Sequence, residues 1–401
     1  MTLLAAMSTS ELLLLSLFVI FAAPWLAWRF LRLEQVAPLA IVQIVGGILM
    51  GPGLLGALAP AAHAALFTPA VIQSLMGIAS WGVMIFVFLA GLELDLARLW
   101  HSRRETGLVA ACALAVPMGF GCMAAALLIQ FSDGWLGPRA HAWQGITGLG
   151  MACAVTALPI LVLLLEQLGI MRTAFGQRVL RYASLDDAAI WIILALVLLD
   201  WPRLERQALF LALALPAAIL VRALLRRAAE GERWLAALIW LAALGFAADW
   251  AGLHFMVGAF MAGAALDTDM FGEAQSDMLR KAVLLTMMPV FFLSTGLRTS
   301  WVLGGAPVVM AALLFLAAAV AGKLAGVHLA GRFLNWPKGE ARIIGWLLQT
   351  KALIMIIFST ILLDKGIITA DAFTALLLMA VMSTVLTVPM VRGRLAAVLA
   401  R

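Results

Sequence analysis

Long apolar runs, separated only by short polar or Pro/Gly-containing stretches, follow one another along nearly the whole chain of 401 residues. A run of about 20 apolar residues is long enough to cross the hydrocarbon core of a bilayer as a helix. Hydrophobic residues make up 65% of the chain and charged residues only 12%, whereas roughly a quarter of the residues in a soluble domain are charged. The sequence therefore predicts an all-α membrane protein and excludes a large soluble domain.

The apolar runs predict about thirteen membrane-spanning helices. Polar residues, Pro or Gly separate these spans, which cover residues 12–31, 38–58, 72–92, 107–130, 143–168, 176–199, 207–225, 232–250, 254–267, 280–297, 304–333, 340–364 and 371–391. The first span follows Glu11 and has no basic segment before it, so we interpret it as a retained helix and not as a signal peptide.

Lysine and arginine residues are distributed unequally between the two sets of loops. The loops after odd-numbered spans, together with the C-terminus, carry 20 of them, and the loops on the other side carry 5. By the positive-inside rule, the N-terminus is expected outside and the C-terminus in the cytoplasm. We interpret the net charge of +6 as a determinant of the orientation of the protein in the membrane and of its contact with the lipid bilayer. Nucleic acid is not an expected partner. The two remaining basic residues, Lys323 and Lys351, fall inside spans.

Two adjacent aspartates, Asp186 and Asp187, lie in the middle of the sixth span. Ionisable residues at bilayer depth usually face a cavity or a partner, and neighbours on a helix point about 100° apart, so each carboxylate can face a different environment. Buried carboxylates can hold protons near physiological pH, and a deprotonated carboxylate can bind a small cation. The pair predicts a site for a proton or a cation in turn. The structural alternative is that both aspartates only pair with lysines.

Two spans contain residues that interrupt a helix at membrane depth. In the fifth span, Pro159 removes a helical N–H group and frees the carbonyl near Val155. In the twelfth span, a polar cluster occupies residues 348–352. Broken helices in secondary transporters bring helix ends, carbonyls and hydroxyls to a site at the bilayer midplane. A simple kink is the alternative for Pro159 alone, but the matching break in the twelfth span favours two broken helices.

The two breaks occupy matching positions if spans 2–6 and 9–13 are five-helix repeats. These repeats begin seven spans apart, an odd number, so they are predicted to have inverted topology. The predicted organisation is a first helix in 1–35, a first repeat in 36–200, linking helices in 201–252 and a second repeat in 253–401. No soluble regulatory domain is expected.

Short motifs along the whole chain resemble the monovalent cation:proton antiporter superfamily. The similarity is to the branch that holds the glutathione-gated potassium-efflux transporters and the plant cation/proton exchangers. The motifs lie at 42–52 (VQIVGGILMGP), 88–94 (FLAGLEL), 155–169, 186–187, 252–263 (GLHFMVGAFMAG), 289–298 (PVFFLSTGLR) and 322–326 (GKLAG). Each motif alone is weak, and their order and spacing together are specific. The resemblance implies the sodium/proton antiporter-like fold, with two broken crossing helices.

The resemblance also implies roles for individual residues. Asp187 is similar to the carboxylate that binds cation and proton in turn, and Asp186 takes a position that is Asp in electrogenic members. Thr156 resembles a cation ligand in the broken helix, and Lys323 resembles the lysine that pairs with the first aspartate. The expected cation site therefore comprises Asp187, Asp186 and Thr156, with Lys323 as the charge partner or proton-coupled group.

Lys351 and Ala352 stand where most relatives have Arg and Gly. A lysine keeps the positive charge that offsets the dipoles of half-helices but lacks the planar fork of arginine. We favour this structural role for Lys351, and a proton-carrying role is the alternative. Ala352 weakens the prediction of an unwound segment at this position.

The remaining titratable residues lie outside the expected cation site. His254 and His328 lie in or near spans and are candidates for tuning the response to pH. Glu93 and Asp95 end the third span beside arginines, which favours an interfacial ion pair over a transport role. The three cysteines lie in apolar runs and predict neither a disulfide framework nor a metal site. The sequence shows no nucleophile triad or phosphate-binding loop, so neither an enzyme nor a cofactor is predicted.

These residues and the resemblance predict a secondary active transporter that exchanges Na⁺ or K⁺ for protons by alternating access. Two aspartates and a titrating lysine favour electrogenic exchange. The resemblance implies a homodimer in a bacterial inner membrane with a function in pH homeostasis. A cation channel or uniporter without proton coupling is one alternative. An organic-anion symporter on a related fold is another, although two adjacent carboxylates would repel an anion.

Overall fold

A computed structural model describes residues 7–33, 39–51, 55–92, 103–171, 173–198, 204–297 and 305–399. Helices account for the regular structure in these ranges, and only an isolated antiparallel bridge joins Leu136 to Ile368. The prediction of an all-α protein is confirmed.

The helices of the described ranges are numbered here in chain order. They are α1 Thr9–Phe30, α2 Leu39–Met50, α3 Leu55–Leu58, α4 Pro60–Leu66, α5 Pro69–Leu92, α6 Arg103–Phe131, α7 Ala142–Ala154, α8 Leu158–Gln167, α9 Ala174–Val197, α10 Leu204–Arg227, α11 Glu230–Trp250, α12 Phe255–Ala264, α13 Glu273–Thr286, α14 Met288–Leu297, α15 Gly305–Phe333, α16 Glu340–Leu347, α17 Ala352–Asp364 and α18 Ala370–Leu399. A short 3₁₀ turn lies at Thr268–Met270.

Every predicted span coincides with at least one of these helices. Eight helices in the described part of the chain are long and apolar enough to cross a membrane, so the total of thirteen spans stays a prediction. The predicted tenth span, 280–297, contains the second half of α13 and the whole of α14, and the start of α13 at Glu273 was not predicted. Helix α13 ends before α14 because Pro289 has no N–H group for the carbonyl of Leu285.

The chain forms two compact units. The first comprises Met1–Val71, Leu99–Ile190 and Phe292–Arg401, and the second comprises Ile72–Arg98 and Trp191–Phe291. This grouping does not test the predicted division into repeats, which stays a prediction.

In the first unit, α15 packs closely along α6, and small residues make this contact possible. A methyl group at Gly322 would overlap Pro117, and one at Gly326 would overlap the backbone carbonyl of Cys112. Glycines four residues apart on one helix face let two helix backbones approach closely. The contact is important for function because Lys323 follows Gly322 directly, and the helix packing sets the position of its backbone.

In the second unit, α11 packs against α12. Gly258 on α12 lies against the backbone of Leu244 on α11, and the Trp240 indole donates a hydrogen bond of 3.1 Å to the carbonyl of Ala262. Helix α10 exposes a row of large apolar side chains, including Leu215, which is 69% exposed. An exposed apolar surface of this kind suits contact with lipid.

Candidate functional site

Both predicted helix breaks are present. Helix α7 ends at Ala154 and α8 begins at Leu158, whereas α16 ends at Leu347 and α17 begins at Ala352. Pro159 is the second residue of α8, so it cannot donate a backbone hydrogen bond to the carbonyl of Val155. The connecting residues 155–157 and 348–351 form the two breaks, and Ala352 does not prevent the second one.

The two breaks are hydrogen-bonded to each other. The backbone N–H of Ala157 donates to the carbonyl of Thr350 at 2.6 Å. The hydroxyl of Thr156 lies 2.8 Å from the carbonyl of Leu348 and 2.7 Å from Oδ2 of Asp186. A hydroxyl has a single hydrogen to donate, so Thr156 serves one of these acceptors at a time. The breaks therefore meet at a polar crossing to which α9 contributes Asp186.

An ion pair between Lys323 and Asp186 lies at the centre of this crossing. Lys323 Nζ is 3.1 Å from Asp186 Oδ2, and the two side chains are 0% and 1% exposed. The ammonium also donates to the carbonyl of Ala154 at 2.6 Å and to the hydroxyl of Thr156 at 3.0 Å. All three N–H groups of Lys323 therefore have acceptors. Asp186 Oδ1, by contrast, is buried and has no hydrogen-bond partner.

Lys351 binds the C-terminal end of α7. Its Nζ donates to the carbonyl of Cys153 at 2.5 Å and to that of Val155 at 3.0 Å. The last carbonyls of a helix lack intrahelical partners and carry the negative end of the helix dipole. Because Lys323 takes the carbonyl of Ala154, the two lysines together satisfy three successive carbonyls at the end of α7.

Lys351 immediately precedes α17, where a positive charge is unfavourable for the dipole of that helix. The side chain does not serve α17, since both acceptors of its ammonium belong to α7 and the first break. Its backbone N–H donates to the hydroxyl of Thr384 on α18 at 3.2 Å. The contacts therefore place this charge where it offsets the C-terminal dipole of a half-helix.

The last helix contributes polar contacts that the sequence analysis did not assign to the site. Ser383 Oγ donates to the carbonyl of Gln349 at 2.8 Å, and Thr384 accepts from Lys351. Ser383, Thr384 and Thr387 interrupt the otherwise apolar stretch 375–391 of α18, and these hydroxyls in the thirteenth span were the available signal.

The other predicted site residues lie elsewhere or are only partly described. Asp187 belongs to α9, but its side chain lies outside the described residues, as do Glu93 and Asp95 altogether. His254 belongs to the second unit and caps α12, where its Nδ1 accepts from the N–H of Met256 at 3.3 Å. His328 is exposed, and its ring nitrogen lies 2.7 Å from the carbonyl of Leu324 on its own helix.

The described residues contain no group of three or more His, Cys, Asp or Glu side chains that could hold a metal ion. The crossing instead brings together one carboxylate, one hydroxyl and backbone carbonyls, all buried. Neutral oxygens with a single carboxylate are suited to a monovalent cation that is bound and released again.

The described ranges are helical and rich in apolar spans, and two broken helices cross at a buried ion pair. This is the architecture of a secondary transporter. The sequence matches the family described as sodium/hydrogen exchanger, transmembrane, over residues 17–393, and the chain belongs to this family. It is an integral membrane protein.

Named relatives and a solved structure agree with this family. Cation/H⁺ antiporter 20 of Arabidopsis thaliana is 28% identical over 93% of this chain, and the match spans 47% of the relative. The Na⁺/H⁺ antiporter NhaS4 of a Synechocystis species is also 28% identical, over 96% of this chain and 98% of the relative. The structure of the sodium proton antiporter MjNhaP1 from Methanocaldococcus jannaschii superimposes with a TM-score of 0.60 and 10% identity, covering 97% of this chain and 98% of that chain. This likeness confirms the antiporter-like fold, and the chain spans about half the length of the plant relatives it matches.

Proposed function

We propose that the protein exchanges a monovalent cation, Na⁺ or K⁺, for protons across a membrane by alternating access. The observation that carries this proposal is the buried Asp186–Lys323 ion pair, which lies at the crossing of two broken helices and leaves Asp186 Oδ1 without a partner. The names of the relatives, which include Na⁺/H⁺, K⁺/H⁺ and other cation/H⁺ antiporters, support the same activity.

In the proposed cycle, Asp186 alternates between two positive partners. In the proton-loaded state the ammonium of Lys323 holds Asp186 Oδ2, and Asp187 is protonated. An arriving cation displaces Lys323, and the carboxylates and Thr156 bind the cation while protons leave. Rearrangement of the helices then exposes the loaded site to the other side. Binding of the cation or of protons can shift the equilibrium between the two orientations of the site only as far as the affinity for that ligand differs between them. Lys351 stays bound to the end of α7 and does not titrate.

The exchange is electrogenic if more than one proton returns for each cation. Two aspartates and a titrating lysine supply enough proton-binding groups for two protons per cation. The same proposal includes a homodimer in the inner membrane of a bacterium, with the N-terminus outside and the C-terminus in the cytoplasm. The excess of basic residues in the loops after odd-numbered spans supports this orientation.

Reconstitution into proteoliposomes tests the proposed exchange. The lumen contains a pH-sensitive dye, a permeant anion dissipates any membrane potential, and NaCl, KCl or choline chloride is added outside. An antiporter takes up the added cation and releases luminal protons, so the lumen becomes alkaline only when a transported cation is added, and Asp186→Asn abolishes the signal. Cation uptake without a dye response would instead establish a uniporter or channel, and uptake of an organic acid anion would establish a symporter.

A further inference from the structure

Gln349 is a buried amide without a hydrogen-bond partner in the second break. The residue is 1% exposed, and neither its amide oxygen nor its amide nitrogen forms a hydrogen bond. An amide buried in this way is unfavourable unless it finds a partner in another state. A buried unpaired polar group in a native structure therefore requires an explanation.

The backbone carbonyls of residues 348–350 all have hydrogen-bond partners. The carbonyl of Leu348 lies against the Thr156 hydroxyl, the carbonyl of Gln349 accepts from Ser383, and the carbonyl of Thr350 accepts from Ala157. These contacts tie the second break to the first break and to α18. The backbone carbonyl of Gln349 is thus occupied, and its side-chain amide is the group that remains available.

The amide is close enough to the crossing to take part in binding there. Standard bond lengths put the Cα of Gln349 about 3 Å from the carbonyl oxygen of Leu348, and that oxygen is 2.8 Å from Thr156 Oγ1. A glutamine side chain extends roughly 5 Å from its Cα by the same bond lengths. A cation bound between Thr156 and Asp186 therefore lies within reach of Gln349 Oε1 after a change of rotamer.

A second buried oxygen without a partner belongs to the same crossing, namely Asp186 Oδ1. When Lys323 moves away, this oxygen, the Thr156 hydroxyl and the Leu348 carbonyl form an incomplete shell around a dehydrated cation. A neutral amide oxygen adds a ligand without adding charge. The number and field strength of such ligands decide between Na⁺ and K⁺.

We propose that Gln349 Oε1 completes the coordination of the transported cation and determines the preference between Na⁺ and K⁺. The inference rests on the proposed cation:proton exchange and assigns a ligand and a specificity-determining residue to the same site. A purely structural Gln349 would contribute to stability in every salt and would not affect the choice of cation.

Cation-dependent thermal unfolding of the purified full chain in detergent tests the inference without requiring transport. The parent, Gln349→Leu and Thr360→Val are compared in choline chloride, NaCl and KCl. Thr360 is a matched control because its hydroxyl is also buried and unpaired, on α17. A cation that binds the folded state stabilises it by RT ln(1 + [cation]/Kd), so fitting the unfolding temperature against cation concentration gives the dissociation constant for that cation.

We expect Gln349→Leu to unfold in choline chloride at or above the temperature of the parent, because it removes an unpaired buried amide. The dissociation constant of the preferred cation should rise about tenfold, a loss of about 1.4 kcal/mol of binding free energy, and the ratio of the dissociation constants for Na⁺ and K⁺ should approach one. Thr360→Val should keep the dissociation constants of the parent and their ratio. If Gln349→Leu does not fold, Gln349→Asn is used, whose shorter amide should still change the ratio.

Unchanged dissociation constants for Na⁺ and K⁺, with an unchanged ratio between them, in Gln349→Leu would overturn the assignment. So would an equal loss of cation response in Gln349→Leu and Thr360→Val. These results differ from a failure of the proposed function, in which the parent itself shows neither a cation-dependent shift nor exchange in proteoliposomes. In that case the assignment of Gln349 fails together with the function.

Discussion

Substitutions of Lys351 distinguish a structural charge from a proton carrier. Its ammonium is fully buried and binds the carbonyls of Cys153 and Val155 at the end of α7. Lys351→Arg keeps a permanent positive charge and several N–H donors at this place, but a guanidinium does not deprotonate in a protein. Lys351→Met keeps an unbranched apolar chain and removes both the charge and the donors.

The contacts give the expected magnitude for Lys351→Met. A hydrogen bond to a charged group contributes about 1.5–3 kcal/mol, so losing two removes roughly 3–6 kcal/mol. The substitution also removes a buried ammonium whose desolvation costs several kcal/mol, and this offsets part of the loss. We expect a net destabilisation of about 2–3 kcal/mol, since two carbonyls at the end of α7 are left buried without partners. Lys351→Arg should unfold close to the temperature of the parent.

Thermal unfolding and pH-dependent transport, measured on the same purified variants, decide between the two roles. The structural role predicts that Lys351→Arg transports nearly as well as the parent and that Lys351→Met loses stability, activity or both. A folded Lys351→Arg protein of parental stability without transport would refute the structural role and favour proton carrying. Lys351→Met with parental stability would refute the magnitude worked out from the two carbonyl contacts.

Three further predictions concern other parts of the mechanism. Asp187→Asn should abolish exchange in proteoliposomes while the protein stays folded, because an amide neither releases a proton nor neutralises a cation; more than marginal activity would contradict its assignment as the carrier. A membrane potential of about 100 mV, worth roughly 2.3 kcal/mol per net charge moved, should shift the cation gradient that balances a fixed pH gradient, and an unshifted balance point would mean electroneutral exchange. Gly326→Val should lower the unfolding temperature, because the added side chain overlaps the carbonyl of Cys112 on α6, whereas Gly107→Ala, in open space on the same helix as Cys112, should not.

Hydrophobic patterning predicted the helices because a bilayer requires nearly every spanning segment to be a long apolar helix. The breaks were also predictable, since Pro159 and the polar residues 349–351 are local features of the sequence. The first half of α13, residues 273–279, was missed because this helix is amphipathic and begins in a polar stretch outside the apolar run of the tenth span.

The partners of the site residues could not be predicted from local sequence. Lys351 immediately precedes α17, yet its ammonium binds the end of α7, and Cys153 lies 198 positions earlier in the chain. The sequence places Lys351 beside a dipole but does not say which helix provides it. The contribution of Ser383 and Thr384 depends in the same way on the packing of α18 against the second break.

The contacts of Lys323 support the proposed exchange of its ion pair with Asp186 for a cation. The ammonium keeps two acceptors, the carbonyl of Ala154 and the hydroxyl of Thr156, when Asp186 leaves. Asp186 has no second charged partner among the described contacts, and its Oδ1 has no partner at all. Loss of the pair leaves the carboxylate with the Thr156 hydroxyl as its partner and the ammonium with neutral acceptors alone, so both buried charges become uncompensated, and in the proposed cycle Lys323 then releases its proton. A buried carboxylate in that position must take up a proton or a cation, which is the choice that exchange requires.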